Sequence, residues 1–278
     1  MPHLSQLQRD YKSKNVTIIG MTSGDKSNTL EAVKKMVEAK GDGMDYAVAF
    51  DDGRKTNEAW MKAAGQRGIP ASFLVDQSGK IAWIGHPGGL DYPLAAVVAG
   101  TWDYVEGPKK IKAASTAKRA IYMAASSEPK KALDLLTKYE KDYPLQSAGL
   151  DDLRFSILTQ IPEQKAAAAT LGTKLVDKAI ASKSHSALNE IAWNLVDPAV
   201  DRKDRFLDLA LRAADGANEL TEDKDPAILD TVARVHFWRG DLTQALEIQR
   251  RAIENAKGGM KDDLKKTLLE YEEQLAGE

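Results

Sequence analysis

The residues able to do chemistry are few and widely spaced. His3, His86, His185 and His236 are scattered along the 278 residues. No two of them stand at the i, i+4 spacing that presents a pair of imidazoles on one helix face to a metal. Asp51-Asp52-Gly53 ends an apolar run and could open a cation loop, but the further oxygen ligands of a calcium loop do not follow. It reads as a polar turn, as does Gly41-Asp42-Gly43. No glycine-rich segment leads into Lys-Ser or Lys-Thr, so no phosphate cradle is present. Ser184-His185-Ser186 places an imidazole between hydroxyls, but sequence neighbours do not make a triad. His86, in Ile84-Gly85-His86-Pro87-Gly88, reads as a loop histidine at the end of a hairpin. Cysteine is absent throughout. That removes disulfides, thiolate metal sites and a cysteine nucleophile at once. These residues call for no metal and no cofactor.

The composition narrows the partners. The chain is 43% hydrophobic and 29% charged, and 39 basic residues against 41 acidic ones leave a formal charge of −2. Such a balance offers no basic face for nucleic acid, and the run Lys109-Lys110-Ile111-Lys112 is a basic linker too short to change that. No window approaches the about 20 apolar residues of a membrane span. Met1 to Lys14 is polar and amphipathic, without the layout of a signal peptide. At about 100–200 residues per domain, the length predicts two domains.

The elements that must position these residues divide the same way. Leu4, Leu7 and Tyr11 recur at helical spacing, and Val16–Met21 reads as a buried parallel strand. Leu30, Val33, Met36 and Val37 mark one face of a helix ending near Gly41. Tyr46–Phe50 is a second strand, followed by a helix from about Asn57 that carries Trp60, Met61 and Ala64. Ser72–Asp76 and Lys80–Gly85 form a hairpin about Gln77-Ser78-Gly79, and a short helix spans Leu94–Ala99. The order α-β-α-β-α-β-β-α predicts an α/β domain over residues 1–100. Beyond Gly107-Pro108 no strand is evident. Helical stretches break at Ser126–Pro129, Tyr143-Pro144, Ile161-Pro162, Pro198 and Asp225-Pro226, which predicts an all-α array of helical hairpins over 108–278.

Within that array, Pro226–Asn255 resembles a tetratricopeptide repeat. Leu229, Val232, Ala233 and His236 fall before the turn at Gly240-Asp241, and Ala245, Ile248 and Ala252 after it. Small Ala233 and Ala245 sit where two helices approach closely. His236 and Gln249 depart from the pattern, both standing where aromatics are common. Ser186–Ala217 resembles a stretched second copy through Leu188, Ile191 and Ala192, and Ala120–Lys141 and Ala166–Ala181 resemble more degenerate hairpins. The Leu229, Val232, Ala233 and His236 face is packing. Such a domain serves as a packed spacer, binds a protein partner in its groove, or self-associates; the sequence leaves the three open.

The first half resembles the redoxin branch of the thioredoxin fold, the TlpA-like thiol–disulfide oxidoreductases and their peroxiredoxin relatives. The most specific piece is Gly68-Ile69-Pro70-Ala71-Ser72-Phe73-Leu74-Val75-Asp76, followed by Gly79-Lys80-Ile81. The resemblance implies that Pro70 forms a cis peptide beside redox cysteines and that the Ile69 backbone faces a bound substrate, so Ile69 and Pro70 are the candidate substrate-binding residues. An X-Pro bond adopts cis at modest cost, and such a turn offers backbone groups to an extended chain. Members of this family begin with a strand running into Trp-Cys-x-x-Cys, which opens the first helix. Met1-Pro2-His3-Leu4 is similar to the continuation of that helix past the cysteines.

The strand and the cysteines are then expected just before Met1, and the chain is expected to be a truncated reading of a longer protein. In the family sheet the missing strand lies between those matching Val16–Met21 and Phe73–Val75, so both are expected to expose unpaired edges and apolar faces. The resemblance implies a thiol–disulfide oxidoreductase acting on a protein disulfide substrate, periplasmic or otherwise exported, and inactive in this form because it has no Cys. The alternative is a redox-dead scaffold in which both halves bind protein or peptide. A peroxiredoxin-type peroxidase would instead need an upstream Thr-x-x-Cys.

Overall fold

The computed structural model describes residues 2–200 and 204–277, so Met1 and Glu278, the outermost residues of the expected domains, lie outside it. The chain divides into two compact units, Met1–Ser115 and Thr116–Glu278.

In the first unit, α1 (Pro2–Tyr11) begins on a proline, which needs no N–H in a first turn. It leads to β1 (Ile19–Ser23), α2 (Leu30–Lys40) and β2 (Ala47–Asp51). A short π-helical segment, Asn57–Lys62, follows, then β3 (Ser72–Val75), β4 (Ile81–Gly85) and α3 (Asp91–Val98). β1 and β2 are parallel, with Ile19 opposite Ala47 and Ser23 opposite Asp51. β3 and β4 form an antiparallel hairpin with Ser72 opposite Gly85 and a bulge at Leu74/Val75. Among the described residues these are two separate two-stranded sheets.

α1 is pinned to the first sheet through polar groups. The Gln8 side-chain amide donates to the Val16 carbonyl at 2.9 Å and accepts from the Ile18 amide at 2.6 Å. Buried Ser5 donates to the Gly43 carbonyl and accepts from the Asp45 amide, each at 3.1 Å. Leu7, Trp83, Leu90 and Leu94 form the core of this unit, with Val16, Ile18, Leu74 and Trp102 packed against it.

The expectation that β1 is buried is corrected. Its Ile18 side packs on that core, but Ile19 and Met21 point the other way and are 58% and 49% exposed. Nothing in the described structure covers that face, and the strand has a neighbour on one edge only. α2 likewise buries Val33 alone, with Leu30 exposed and Met36 and Val37 half-buried.

The second unit is helical. α4 (Glu106–Ala125) contains the division between the units and is followed by α5 (Pro129–Asp142), α6 (Asp151–Leu158), α7 (Lys165–Ala181) and α8 (His185–Val196). α9 (Leu207–Leu220), α10 (Pro226–Trp238), α11 (Leu242–Asn255) and α12 (Gly259–Ala276) complete it. From α5 onward successive helices pack as neighbours, and α6 to α12 share a core that includes Leu188, Leu195, Ala213, Leu229, Ala245 and Tyr271.

Two expectations change here. Lys109–Lys112 is not a linker: the Asp103 carboxylate accepts from the Val105 and Glu106 amides at 2.7 and 2.8 Å, starting α4 ahead of Gly107-Pro108. Pro108 then falls in a first turn, where it is tolerated. Ala166–Ala181 is part of the single helix α7, which pairs with α6. The close approach is made at Gly172, where a Cβ would meet Leu209 and Phe155 at 2.5 Å.

Gln249, one of the two departures from the repeat pattern, is fully buried and donates to Asp230 at 2.8 Å and to the Leu264 carbonyl at 3.1 Å. Beside it the buried Arg234 guanidinium makes a bidentate pair with Glu270 at 2.6 and 2.9 Å and lies 4.8 Å from the Tyr271 ring centre. Hydrogen bonds and a guanidinium–ring contact thus do the joining that aromatic packing would do. His236, the other departure, lies 3.5 Å from Asp241 at the turn. No helix among the described residues is long and apolar enough to cross a membrane.

Candidate substrate site and open strand edges

The site begins where the chain enters β3. Ile69 is 87% exposed and precedes Pro70 through a cis peptide bond. Both residues stand clear of the core, so the turn presents its backbone to solvent. Just inside it, Phe73 meets Trp60 edge-on at 5.4 Å. The π-helical segment carrying Trp60 is started by Asp51, whose buried carboxylate accepts from the Thr56 and Asn57 amides at 3.0 and 3.1 Å. Those bonds hold the Asp51 carboxyl below its ordinary value, outweighing the opposing effect of desolvation. Asp51-Asp52-Gly53 therefore works as a helix start. Among the described residues no three His, Cys, Asp or Glu side chains come together as metal ligands.

The far end of the hairpin is rigid by design of its turn. Asp76 accepts from Ser78 Oγ at 2.7 Å and from the Ser78 and Lys80 amides at 2.9 and 3.0 Å, and Gly79 takes a left-handed φ of 83°. The Tyr104 hydroxyl also donates to Asp76, and together these donors hold its carboxyl well below the usual range. Lys80 lies 3.8 Å over the Tyr104 ring. Trp83 packs so closely on Gly85 that a Cβ there would come within 2.3 Å of it. His86 Nδ1 accepts from the Gly88 amide at 3.1 Å, a turn-forming role. His3 is bonded to Asp91 at 3.1 Å, and Ser184 caps α8 by accepting from the Ala187 amide at 3.3 Å. None of these histidines joins another.

The feature that dominates this unit is backbone chemistry. β1 has a ladder to β2 on one side only, and β3 has a ladder to β4 on one side only. Each open edge carries a row of donors and acceptors, and beside them stand Ile19, Met21 and Val75, all exposed. Natural sheets seldom leave a long apolar edge uncovered, because it is a template for another strand.

Comparison with protein families matches residues 1–90 to Redoxin. Residues 1–90 are a redoxin domain. Among curated proteins, Protein FixW of Rhizobium leguminosarum is 27% identical over 103 residues, which cover 36% of this chain and 47% of that protein. The match thus spans about half the length of that relative. No solved structure matches the chain. The 278 residues contain no cysteine.

Proposed function

We propose that this chain is the substrate-binding part of a TlpA-like thiol–disulfide oxidoreductase, with domains over residues 1–100 and 108–278. In this reading, the redox cysteines are carried by a further strand that completes the sheet. The observation that carries the proposal is the pair of open edges. A strand between β1 and β3 would pair with both, joining two two-stranded sheets into one five-stranded sheet and setting its own side chains beside Ile19, Met21 and Val75. A helix following that strand is the place where a thiolate is stabilised, because N-terminal amides and the helix dipole favour negative charge. α1, beginning at Pro2, is the continuation of that helix.

In this reading the Ile69 backbone pairs with an extended segment of the protein substrate, and Pro70 fixes the turn that presents it. The exposure of Ile69 supports the role: a residue that packs against nothing in its own unit is free to face a partner. The tetratricopeptide-like helical domain recruits a protein partner or holds the enzyme in a complex.

The experiment is reduction of insulin disulfides by dithiothreitol. It compares this chain with a chain extended by the in-frame residues encoded upstream of Met1. The extended chain is expected to turn over insulin, and Ile69→Asp in it to raise KM more than it lowers kcat. The 278-residue chain is expected to stay at background, since exchange needs a thiolate; turnover by it would contradict the proposal.

One observation favours a second reading: with no cysteine in 278 residues, the same open edges suit a redox-dead scaffold that binds an extended peptide by strand addition. An extended chain that also lacks cysteine and binds without turnover is the outcome that selects it.

A further inference from the structure

The helical unit carries a pocket of about 220 Å³ between α4, α6 and α8. Its floor is apolar: Phe155 and Ile191 are 2% and 6% exposed. Its wall is the ring of Tyr122, which is itself exposed. Helical spacing places two polar rungs above that floor. Asp152 and Ser156 are four apart on α6, Glu190 and Asn194 four apart on α8, and each pair shares one face. The inner rung is closed, since the Asn194 amide donates to Ser156 Oγ at 3.2 Å. The outer rung is open: Asp152 and Glu190 are exposed, line the pocket, and take part in no ion pair among the described residues. Other carboxylates of this unit also lack an ion pair among the described residues; what sets Asp152 and Glu190 apart is that both line the same pocket.

Two unmatched carboxylates over an apolar floor, beside an aromatic face, define a complement. It is a cation at the end of an apolar stem. We propose that this pocket takes one lysine or arginine side chain from an extended segment of a protein partner. The charged end sits between Asp152 and Glu190, the methylene stem lies along Tyr122 and Ile191, and the ring face adds a cation–π contact. The volume is below the about 300–1,000 Å³ of a drug-sized ligand site and suits one long side chain. The inference rests on the reading of the helical domain as the part that recruits a partner, and it supplies the chemistry of that partner.

The test uses the full chain and fluorescein-labelled Gly/Ala nonapeptides that differ only in their central residue: Lys, Arg, norleucine, Leu or Glu. Binding is read by fluorescence anisotropy. The Lys and Arg probes are expected to bind about fivefold or more tightly than norleucine, which keeps the stem and lacks the charge. The exposed double substitution Asp152→Asn/Glu190→Gln is expected to bring Lys down to the norleucine level with an unchanged thermal midpoint, and added salt to do the same progressively. Equal binding of Lys and norleucine overturns the proposal. So does tighter binding of Leu or Glu that the double variant leaves untouched, in which case the helical domain remains a docking domain of other specificity. If no probe binds at about 1 mM, the pocket proposal is overturned, while the recruiting role of the helical domain, which these probes do not address, stands apart from it.

Discussion

The two units solve the burial problem to different degrees. In the helical unit Leu188, Leu195, Leu229, Val235 and Tyr271 are fully buried, and from α5 onward each helix packs on its neighbours in sequence. In the α/β unit only Leu94 reaches that state among the large side chains. Ile19, Met21, Trp60, Ile69, Val75 and Ile81 are all exposed there. A helix satisfies its own backbone and needs only one covered face, so hairpins stacked in a row close themselves off. A strand needs a partner on each edge and a layer on each face, so β1 and β3, each paired on one edge only, leave apolar residues in water. The contrast is one of degree: the helical unit has one large core although Met123, Leu145 and Leu269 remain exposed on it, while the α/β unit has a small core beside two short sheets with open edges.

Core truncation should give the largest difference between the units. Leu229→Ala is expected to lower the stability of the helical unit by about 2–5 kcal/mol, read as a shift in urea midpoint by circular dichroism. If the shift is within about 0.5 kcal/mol, the claim of a closed core is broken. Gly172→Ala comes next, at about 1–3 kcal/mol, because the added methyl must displace Leu209 and Phe155. Ser at the same position should cost at least as much.

Acid should separate the units by sign. The folded-state pKa of Asp76 is depressed by its hydrogen bonds. Its contribution is therefore fully present above the ordinary carboxylate range and is lost as pH falls through the depressed value. Asp230 is raised, chiefly by burial and despite its bond from Gln249 and the nearby Arg234 charge. Its penalty is absent below the ordinary range and enters as pH rises through the raised value. Asp76→Asn should thus destabilise most near neutrality and least in acid, whereas Asp230→Asn should stabilise near neutrality and lose that effect in acid. Melts of both variants across the acid range check the signs, and parallel pH profiles would remove the contrast.

The smallest effect belongs to the open face. Ile19→Ala and Met21→Ala are expected to change the stability of this chain by no more than about 0.5 kcal/mol each. In a chain supplied with the completing strand, the same substitutions should cost more, up to about 1 kcal/mol each, because same-face side chains of the new strand then flank them. Equal, small effects in both would mean that no strand lies beside them.

Much of this was legible in the sequence because it rests on local chemistry. The Gln77-Ser78-Gly79 turn, the strands on either side, the helix-breaking Pro129, Pro144 and Pro226, and the buried faces of α8 and α10 all follow from spacing and turn residues. What escaped depended on partners distant in sequence. Ile19 reads as core from its neighbours, and only the sheet order shows that nothing lies over it. Lys109–Lys112 reads as a linker until Asp103 is seen capping the helix ahead of Pro108. The Asp152–Glu190 pocket has no signature of its own, since its residues are ordinary helix-surface types brought together by the stacking of α6 and α8. The i, i+4 pairs Asp152/Ser156 and Glu190/Asn194 were the one local hint.

The measurement that bears most directly on the account is the in-frame translation of the source DNA upstream of the Met1 codon. The account predicts a β-rich run ending in Trp-Cys-x-x-Cys a few residues before Met1, a strand to fill the space between β1 and β3. An in-frame stop with no cysteine codon between it and Met1 would contradict it and leave a peptide-binding scaffold as the reading of this molecule.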